Sequence, residues 1–351
     1  MTLQDPRRLR RRSRLRIGDI RFTVLGILIA AIPALATVAH AARPLFPNMA
    51  HTVGERPIMV ATADLDGDGI RDLVVANRWS EDLSILRGLG GGDFGAQQRV
   101  PVGAIPVALA IADFNGDGRD DVAAALPVDD KVAVFLTPPS GVPAAPFLLS
   151  AGDSPGSVLA VDLDLDGRTD LLAANYFGGV SLWKGLGNGS FQSEKRLASG
   201  VSAYSLVVAL VNGDLVPDLV VASPGSRQAV VLLGDASGGF GDPAGYSTDA
   251  LDSVGLPRQI VAADVDLDGA VDFLVGTFDN SEEQNYLVLL RGRGDGSLEP
   301  GVLLSRNADG DFSLGAADFN NDGRPDLAFG AHHGFNCCEL RNGGIWLGRG
   351  D

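Results

Sequence analysis

The feature of this sequence that most limits its fold is an acidic segment that returns six times along the chain. Its first copy, ATADLDGDGIRDLVVAN from Ala61 to Asn77, places four aspartates within nine residues and then continues as an apolar run. The nine-residue loops follow one another at spacings of 49, 49, 48, 54 and 54 residues, which is typical of a supersecondary unit that recurs in a repeat protein. The loops begin at Asp64, Asp113, Asp162, Leu210, Asp264 and Asp318.

Each unit has the same order of apolar and polar segments. One short apolar run leads into the acidic loop, a second leaves it, and a third follows, as in DLVVA and DLSILRGLG of the first unit. A glycine-rich turn and a polar run complete the unit, and helical periodicity is absent after the N-terminal segment. Four short strands per unit of about 50 residues indicate a propeller blade. The sequence therefore predicts an all-β fold, a β-propeller of six blades of four antiparallel strands over residues 44–351.

The two ends of the repeat region indicate how the ring closes. The last unit stops at GGIWLGRGD, after its third apolar run, whereas FPNMAHTVGERP near the N-terminus matches the fourth run of the other units. We therefore predict that the N-terminal strand completes the last blade. This closure would leave no sheet edge open for pairing with another chain.

Residues 1–41 have the three parts of an export signal peptide. Arginines are concentrated between residues 7 and 21, an apolar stretch runs from Phe22 to Val38, and Ala39-His40-Ala41 fits a small-x-small cleavage pattern. An uncleaved N-terminal membrane anchor is the alternative, since about 17 apolar residues are at the short limit for a bilayer span. Both predict that the remaining chain is secreted, periplasmic or on the cell surface.

The charge balance is strongly acidic. The whole chain has a formal net charge of −16, and loss of eight arginines and two aspartates with residues 1–41 would leave −22. This charge excludes nucleic acid as a partner, because its phosphates require a basic face. The only two cysteines, Cys337 and Cys338, are adjacent, which leaves a strained vicinal disulfide or two free thiols as alternatives.

Carboxylates and amides recur at positions one, three, five and nine of the loops, with glycine at position six. Calcium takes about six to eight oxygen ligands, and the glycine permits the sharp turn. Ordinary turn chemistry requires only one or two such residues, so five loops in one register predict about five structural Ca2+ sites. The predicted ligands are Asp64, Asp66, Asp68, Asp72, Asp113, Asn115, Asp117, Asp121, Asp162, Asp164, Asp166, Asp170, Asp264, Asp266, Asp268, Asp272, Asp318, Asn320, Asp322 and Asp326.

Three loops depart from the all-aspartate pattern. The fourth has Leu210 at position one and Leu215 at position six, and it is predicted to keep the turn without the ion. The second and sixth have Asn115 and Asn320 at position three, and this neutral ligand is predicted to weaken calcium binding relative to the all-aspartate loops. Position twelve of the first loop is Val75, within an apolar run, so the loops are not EF-hands.

The segments DFNGDGRDDVAAA, DFNNDGRPDLAFG and LGNGSF resemble the FG-GAP or VCBS-type repeat of integrin alpha chain propellers and many secreted microbial proteins. The resemblance covers nearly everything from about Pro44 to the C-terminus. It implies that calcium braces the hairpins on one face while partners bind loops on the opposite face. It implies no particular activity, because such propellers occur in adhesins, lectins, receptors and some enzymes.

Function is therefore predicted on the face opposite the acidic loops. The loops between second and third strands collect aromatic residues and a histidine there, which suit stacking on sugars or contact with a protein. The alternative is that several of these rings only cap the blade ends. The candidate ligand-binding residues are Trp79, Tyr176, Phe177, Phe278, His332 and Phe335.

The leading hypothesis is a secreted or surface-exposed, calcium-binding propeller that serves as a binding or adhesion module for an extracellular carbohydrate or protein. One alternative is the scaffold of an extracellular enzyme that acts on polysaccharide, and another is a purely structural surface module. The sequence assigns no nucleophile, base and orienting acid, so it predicts no particular reaction.

Overall fold

The computed structural model of the chain describes residues 50–249, 255–279, 284–308, 311–332 and 340–346. The predicted signal peptide, Phe335 and the two cysteines lie outside the described residues. Every regular element in the described ranges is a β-strand. These ranges contain no helix with the length and apolar character that a bilayer crossing requires.

Six antiparallel sheets follow one another along the chain, and each corresponds to one sequence repeat. The first contains β1 (Pro57–Ala63), β2 (Asp72–Asn77), β3 (Asp82–Leu86) and β6 (Gln98–Pro101), with a small hairpin of β4 (Gly88–Gly90) and β5 (Asp93–Phe94) before β6. The second contains β7 (Ala108–Ala112), β8 (Asp121–Leu126), β9 (Lys131–Phe135) and β10 (Phe147–Ser150). The third contains β11 (Asp153–Val161), β12 (Asp170–Phe177), β13 (Gly179–Trp183) and β14 (Lys195–Leu197).

The fourth and fifth sheets repeat this four-strand order, and the sixth has three strands among the described residues. The fourth contains β15 (Ser205–Ala209), β16 (Asp218–Ser223), β17 (Gln228–Leu232) and β18 (Ala244–Ser247). The fifth contains β19 (Leu256–Ala263), β20 (Asp272–Asp279), β21 (Gln284–Leu290) and β22 (Val302–Ala308). The sixth contains β23 (Asp311–Ala317), β24 (Asp326–His332) and β25 (Leu340–Trp346).

The core lies between successive sheets, which explains why the second strands are continuously apolar. Side chains of a strand point alternately to its two faces. In β8, Ala124 and Leu126 pack with Val74 of the first sheet, whereas Ala123 and Ala125 belong to a different cluster that reaches the third sheet. Both faces of the strand are therefore buried, and neither can be polar.

The first strand of each sheet contacts the first strand of the next, from β1 through β7, β11, β15 and β19 to β23. This order confirms the predicted all-β propeller arrangement of four-stranded units. The predicted closing strand begins in the segment 44–49, which lies outside the described residues, and the described residues 50–54 are not in a strand. Closure of the ring by the N-terminal strand therefore stays a prediction.

Candidate functional site

The carboxylate at position one organises each intact acidic loop. Asp64 accepts hydrogen bonds from the backbone N–H groups of Gly67 and Gly69, both at 2.9 Å. Gly69 has a φ of 82°, a left-handed conformation that glycine adopts without a steric penalty. The position-one aspartates of the second, third, fifth and sixth loops make the equivalent bond to the position-six glycine, at 2.7, 2.8, 3.0 and 2.7 Å.

The carboxylates at positions one, three and five converge in the first and third loops. Oxygens of Asp64, Asp66 and Asp68 all lie within 4.8 Å of one another, and the same holds for the corresponding aspartates of the third loop. In the fifth loop the converging set is Asp264, Asp266 and Asp272. Among biological cations, Ca2+ and Mg2+ are the ones that bind preferentially to such sets of hard oxygen donors.

Buried oxygens without a hydrogen-bond partner test whether these loops fit a cation. Asp164 Oδ1 and Asp266 Oδ1 are both buried and, within the described part of the chain, accept no hydrogen bond. A buried carboxylate oxygen without a partner is unfavourable, and a bound cation would satisfy it. The residues present therefore fit a hard divalent cation. Positions one and three converge in all three sets, together with position five in the first and third loops and with position nine in the fifth.

The aspartate at position nine has a structural role that the sequence did not predict. Asp72 is buried, and its two oxygens accept hydrogen bonds from the backbone N–H groups of Leu65 at 3.0 Å and Gly88 at 2.7 Å. This aspartate thus ties the start of the loop to the chain that leaves the third strand. The same pair of bonds recurs at Asp121, Asp170, Asp218 and Asp272.

Burial raises the pKa of several position-nine aspartates. Desolvation is the largest contribution and outweighs the two backbone hydrogen bonds, and the neighbouring carboxylates of the loop raise the pKa further. For Asp121 the pKa rises to about 6. The aspartates with a raised pKa are Asp72, Asp121, Asp170 and Asp272.

The raised pKa of Asp121 predicts a pH dependence in calcium-free buffer. Because the folded pKa of about 6 exceeds the reference value of 3.8, protonation of Asp121 stabilises the folded state. This contribution is fully present below pH 3.8 and is lost as the pH rises through about 6. We expect the free energy of unfolding in EDTA to fall over this interval, and Asp121→Asn to flatten the decrease. Urea unfolding measures both slopes, and identical slopes would contradict the prediction.

The fourth loop keeps its turn, as predicted. Asp218 accepts hydrogen bonds from the N–H groups of Val211 at 2.7 Å and Gly234 at 2.8 Å, as in the other repeats. Leu210 and Leu215 are 42% and 80% exposed, so neither side chain replaces the missing loop interactions by packing in the core. The loss of the ion from this loop stays a prediction.

Three basic residues contact the acidic loops and were missed by the sequence analysis. Lys184 Nζ lies 2.7 Å from Asp164 Oδ2, and Arg291 Nε lies 3.2 Å from Asp266 Oδ2. Arg87 forms the corresponding ion pair with Asp66. Each basic residue directly precedes the glycine that follows a third strand. This shared position in the repeat is the sequence signal that could have identified the three residues.

The opposite end of the sheets, where first strands begin and second strands end, carries the predicted aromatic residues. Trp79 lies in the turn between β2 and β3, is 63% exposed, and has the Arg56 guanidinium 4.9 Å from its ring centroid. Tyr176 and Phe177 end β12, and their rings are 4.5 Å apart in an edge-to-face arrangement.

An aromatic patch joins the third, fourth and fifth blades at this end. The Tyr176 ring lies 6.0 Å from that of Tyr204, and the Arg258 guanidinium lies 5.9 Å from Tyr204 and 4.5 Å from Phe278. Tyr204 and Arg258 were missed, although their positions at the start of a first strand place them at this end. We call Tyr176, Phe177, Tyr204, Arg258 and Phe278 the aromatic patch.

The prediction that the candidate residues lie in loops was wrong for most of them. Tyr176, Phe177 and Phe278 belong to β12 and β20, because strand pairing continues past the predicted strand ends, for example between Phe278 and Asn285. His332 likewise ends β24, where it pairs with Asp311. The structure brings three of the six candidates into the aromatic patch, and Trp79 lies on the first blade apart from it.

Successive four-stranded sheets with an acidic loop between their first and second strands define a repeat β-propeller. The model of the FG-GAP-like repeat matches residues 64–124, 113–173, 162–221 and 264–329, more than half of the chain, and that of the FG-GAP repeat matches residues 312–347. The chain therefore belongs to the FG-GAP repeat family. No curated protein matches it.

The chain is similar to several solved structures at low sequence identity, and one of them has a TM-score above 0.5. A protein from Lactobacillus plantarum is 15% identical with a TM-score of 0.53, over 83% of this chain and 85% of that one. The V. cholerae biofilm matrix protein Bap1 is 18% identical with a TM-score of 0.37, over 83% of this chain and 50% of that one. The Dos1 propeller is 10% identical with a TM-score of 0.48, over 78% of this chain and 65% of that one.

Proposed function

We propose that this protein is a secreted or cell-surface binding module whose acidic loops hold Ca2+ and whose aromatic patch binds a carbohydrate. The patch carries the proposal, because it joins three blades at the end of the sheets opposite the acidic loops. The export signal predicted for residues 1–41 and the extracellular setting typical of FG-GAP repeats support the location.

Calcium would be held by the side chains at positions one and three of the intact loops, together with position five or, in the fifth loop, position nine. The ion would supply positive charge and cross-link carboxylates that otherwise repel one another. The position-nine aspartate holds the loop against the third strand and leaves each of its oxygens one further lone pair. These features make calcium a stabilising component of the fold.

A carbohydrate suits the aromatic patch because its surface combines apolar and polar groups. Phe177 is 65% exposed and Tyr204 is 37% exposed, so both rings present area to solvent. Aromatic rings bury the C–H face of a sugar, while Tyr hydroxyl and Arg guanidinium groups bond its hydroxyls. Arg258 contacts two of the rings and connects the fourth blade with the fifth.

Screening the purified protein against a glycan array in calcium buffer tests this assignment. We expect retention on at least one glycan class, and loss of most of it in Phe177→Ala and Arg258→Ala, because these changes remove an exposed ring and a donor. Trp79→Ala is the matched control, since it removes an exposed aromatic ring outside the patch.

Two outcomes would contradict the proposal. Retention that depends on Trp79 and is unchanged by the patch variants would place the site on the first blade. Binding to extracellular-matrix proteins in a parallel panel, without retention on any glycan, would replace carbohydrate with a protein partner.

A further inference from the structure

A second pairing rule runs through the six repeats and involves a residue outside the acidic loop. The residue directly after the third strand alternates between a basic residue in the first, third and fifth repeats and leucine in the others. Position three of the loop changes with it, from aspartate beside the basic residue to asparagine beside leucine. The two positions together are therefore neutral in all six repeats. The basic residues are Arg87, Lys184 and Arg291, and the leucines are Leu136, Leu233 and Leu347.

In the third repeat, the glycine turn of the next blade lies against the charged pair of Lys184 and Asp164. Lys184 Nζ donates to Asp164 Oδ2 at 2.7 Å and to the carbonyl oxygen of Ser237, in the turn of the fourth blade, at 2.8 Å. A Cβ added to Gly238 would stand 2.5 Å from Lys184 Nζ and 2.8 Å from the Asp164 Cβ. One lysine thus joins an acidic loop to the neighbouring blade.

In the second and fourth repeats, where the pair is asparagine and leucine, the acidic loop contacts the next blade through backbone hydrogen bonds. Gly189 N donates to the Phe114 carbonyl at 2.8 Å, and Gly296 N donates to the Val211 carbonyl at 3.1 Å. A Cβ on Gly189 would stand 2.7 Å from Leu136 Cδ1, so this turn also lies directly on the pair. The third repeat thus contacts the next blade through the Lys184 side chain, whereas the second and fourth repeats make these contacts through the backbone.

We propose that Arg87, Lys184 and Arg291 are tethered counter-ions of alternate acidic loops. Each holds the position-three carboxylate in the absence of metal and competes with calcium for it. This inference rests on the proposed calcium binding and deepens it, since it makes residues outside the loop determinants of metal affinity. The extra carboxylate of the all-aspartate loops is then offset by the adjacent cation, which removes the expected affinity advantage over the asparagine loops.

The third repeat offers a complete test. The set comprises the wild type, Lys184→Leu, Asp164→Asn and the double variant, which reproduces the asparagine–leucine pair of the neighbouring repeats. The melting temperature is measured in EDTA and in calcium, and the readout is the rise that calcium produces. Lys195→Leu is the matched control, because it makes the same change at an exposed position of the same blade.

We expect the calcium-induced rise to be largest for Lys184→Leu, smallest for Asp164→Asn, and close to the wild-type value for the double variant and the control. The physical reason is the net negative charge that faces the ion. This negative charge is larger than in the wild type when Lys184 is replaced, smaller when Asp164 is replaced, and unchanged in the double variant. A calcium titration should show one site in Lys184→Leu with an affinity about tenfold higher.

The outcomes separate this inference from the proposed function. Equal rises in all variants, with a clear rise in the wild type, would overturn the counter-ion role and leave calcium binding intact. A wild type that calcium does not stabilise would overturn the proposed calcium binding and the competition with it. The matching set at Asp266 and Arg291 provides the same measurement if Lys184→Leu does not fold in EDTA.

Discussion

Removal of calcium with EDTA is expected to lower the melting temperature by about 10 °C or more. Each ion that binds only the folded state stabilises it by about 2.7 kcal/mol at one hundred times its dissociation constant. We expect this stabilisation at each of the five predicted loops. Without metal, the clustered carboxylates of these loops also repel one another. Differential scanning calorimetry in EDTA, in calcium and in magnesium measures the shift.

Single substitutions in the loops test whether the calcium-dependent change in melting temperature comes from these sites. Asp266→Ala removes a carboxylate of a converging set, and we expect it to reduce the calcium-induced rise. Asp214→Ala is the control, because it removes a carboxylate from the fourth loop, which lacks the position-one aspartate. A thermal transition that EDTA leaves unmoved would refute the metal assignment altogether.

Asp218→Ala is expected to lower the free energy of unfolding by about 2–4 kcal/mol. The carboxylate is buried and accepts backbone hydrogen bonds from Val211 and Gly234, so its removal leaves one buried and one half-buried N–H group without this partner. The fourth loop is the best place for this test, because the loop is predicted to hold no ion and the loss then reports hydrogen bonding alone. Urea unfolding in EDTA measures the difference.

Asp214→Ala also serves as the control for this experiment. Asp214 lies in the same loop but is exposed, and its Oδ1 accepts a local hydrogen bond from Val216 N, so we expect a change within about 0.5 kcal/mol. Equal effects of the two substitutions would show that the position-nine aspartate is an ordinary loop residue. A loss in Asp218→Ala that appeared only in calcium would instead show that the fourth loop binds metal.

The blade plan was predictable because it is local and repeated. Each apolar run, acidic loop and glycine turn lies within about 50 residues, and six copies confirm the register that one copy would leave open. The strand ends were less predictable, because cross-strand pairing extends them. Tyr176 and Phe278 belong to strands for this reason, although their sequence surroundings are typical of loops.

The roles of individual side chains were predictable only in part. The convergence of Asp64, Asp66 and Asp68 follows from alternate positions in one tight turn, and the sequence contains that information. The two hydrogen bonds of Asp72 depend on where Gly88 lies after the third strand has folded back. A role that depends on another strand cannot be inferred from spacing within the loop.

The six-fold period and the oxygen-rich loops follow from the sequence alone, because both arise from residues close together in the chain. The ion pair of Lys184 with Asp164, its contact with the next blade and the assembly of the aromatic patch arise only in the folded chain. These groups are separated by 20 to 53 residues where they bond, and packing of one sheet on the next brings them together.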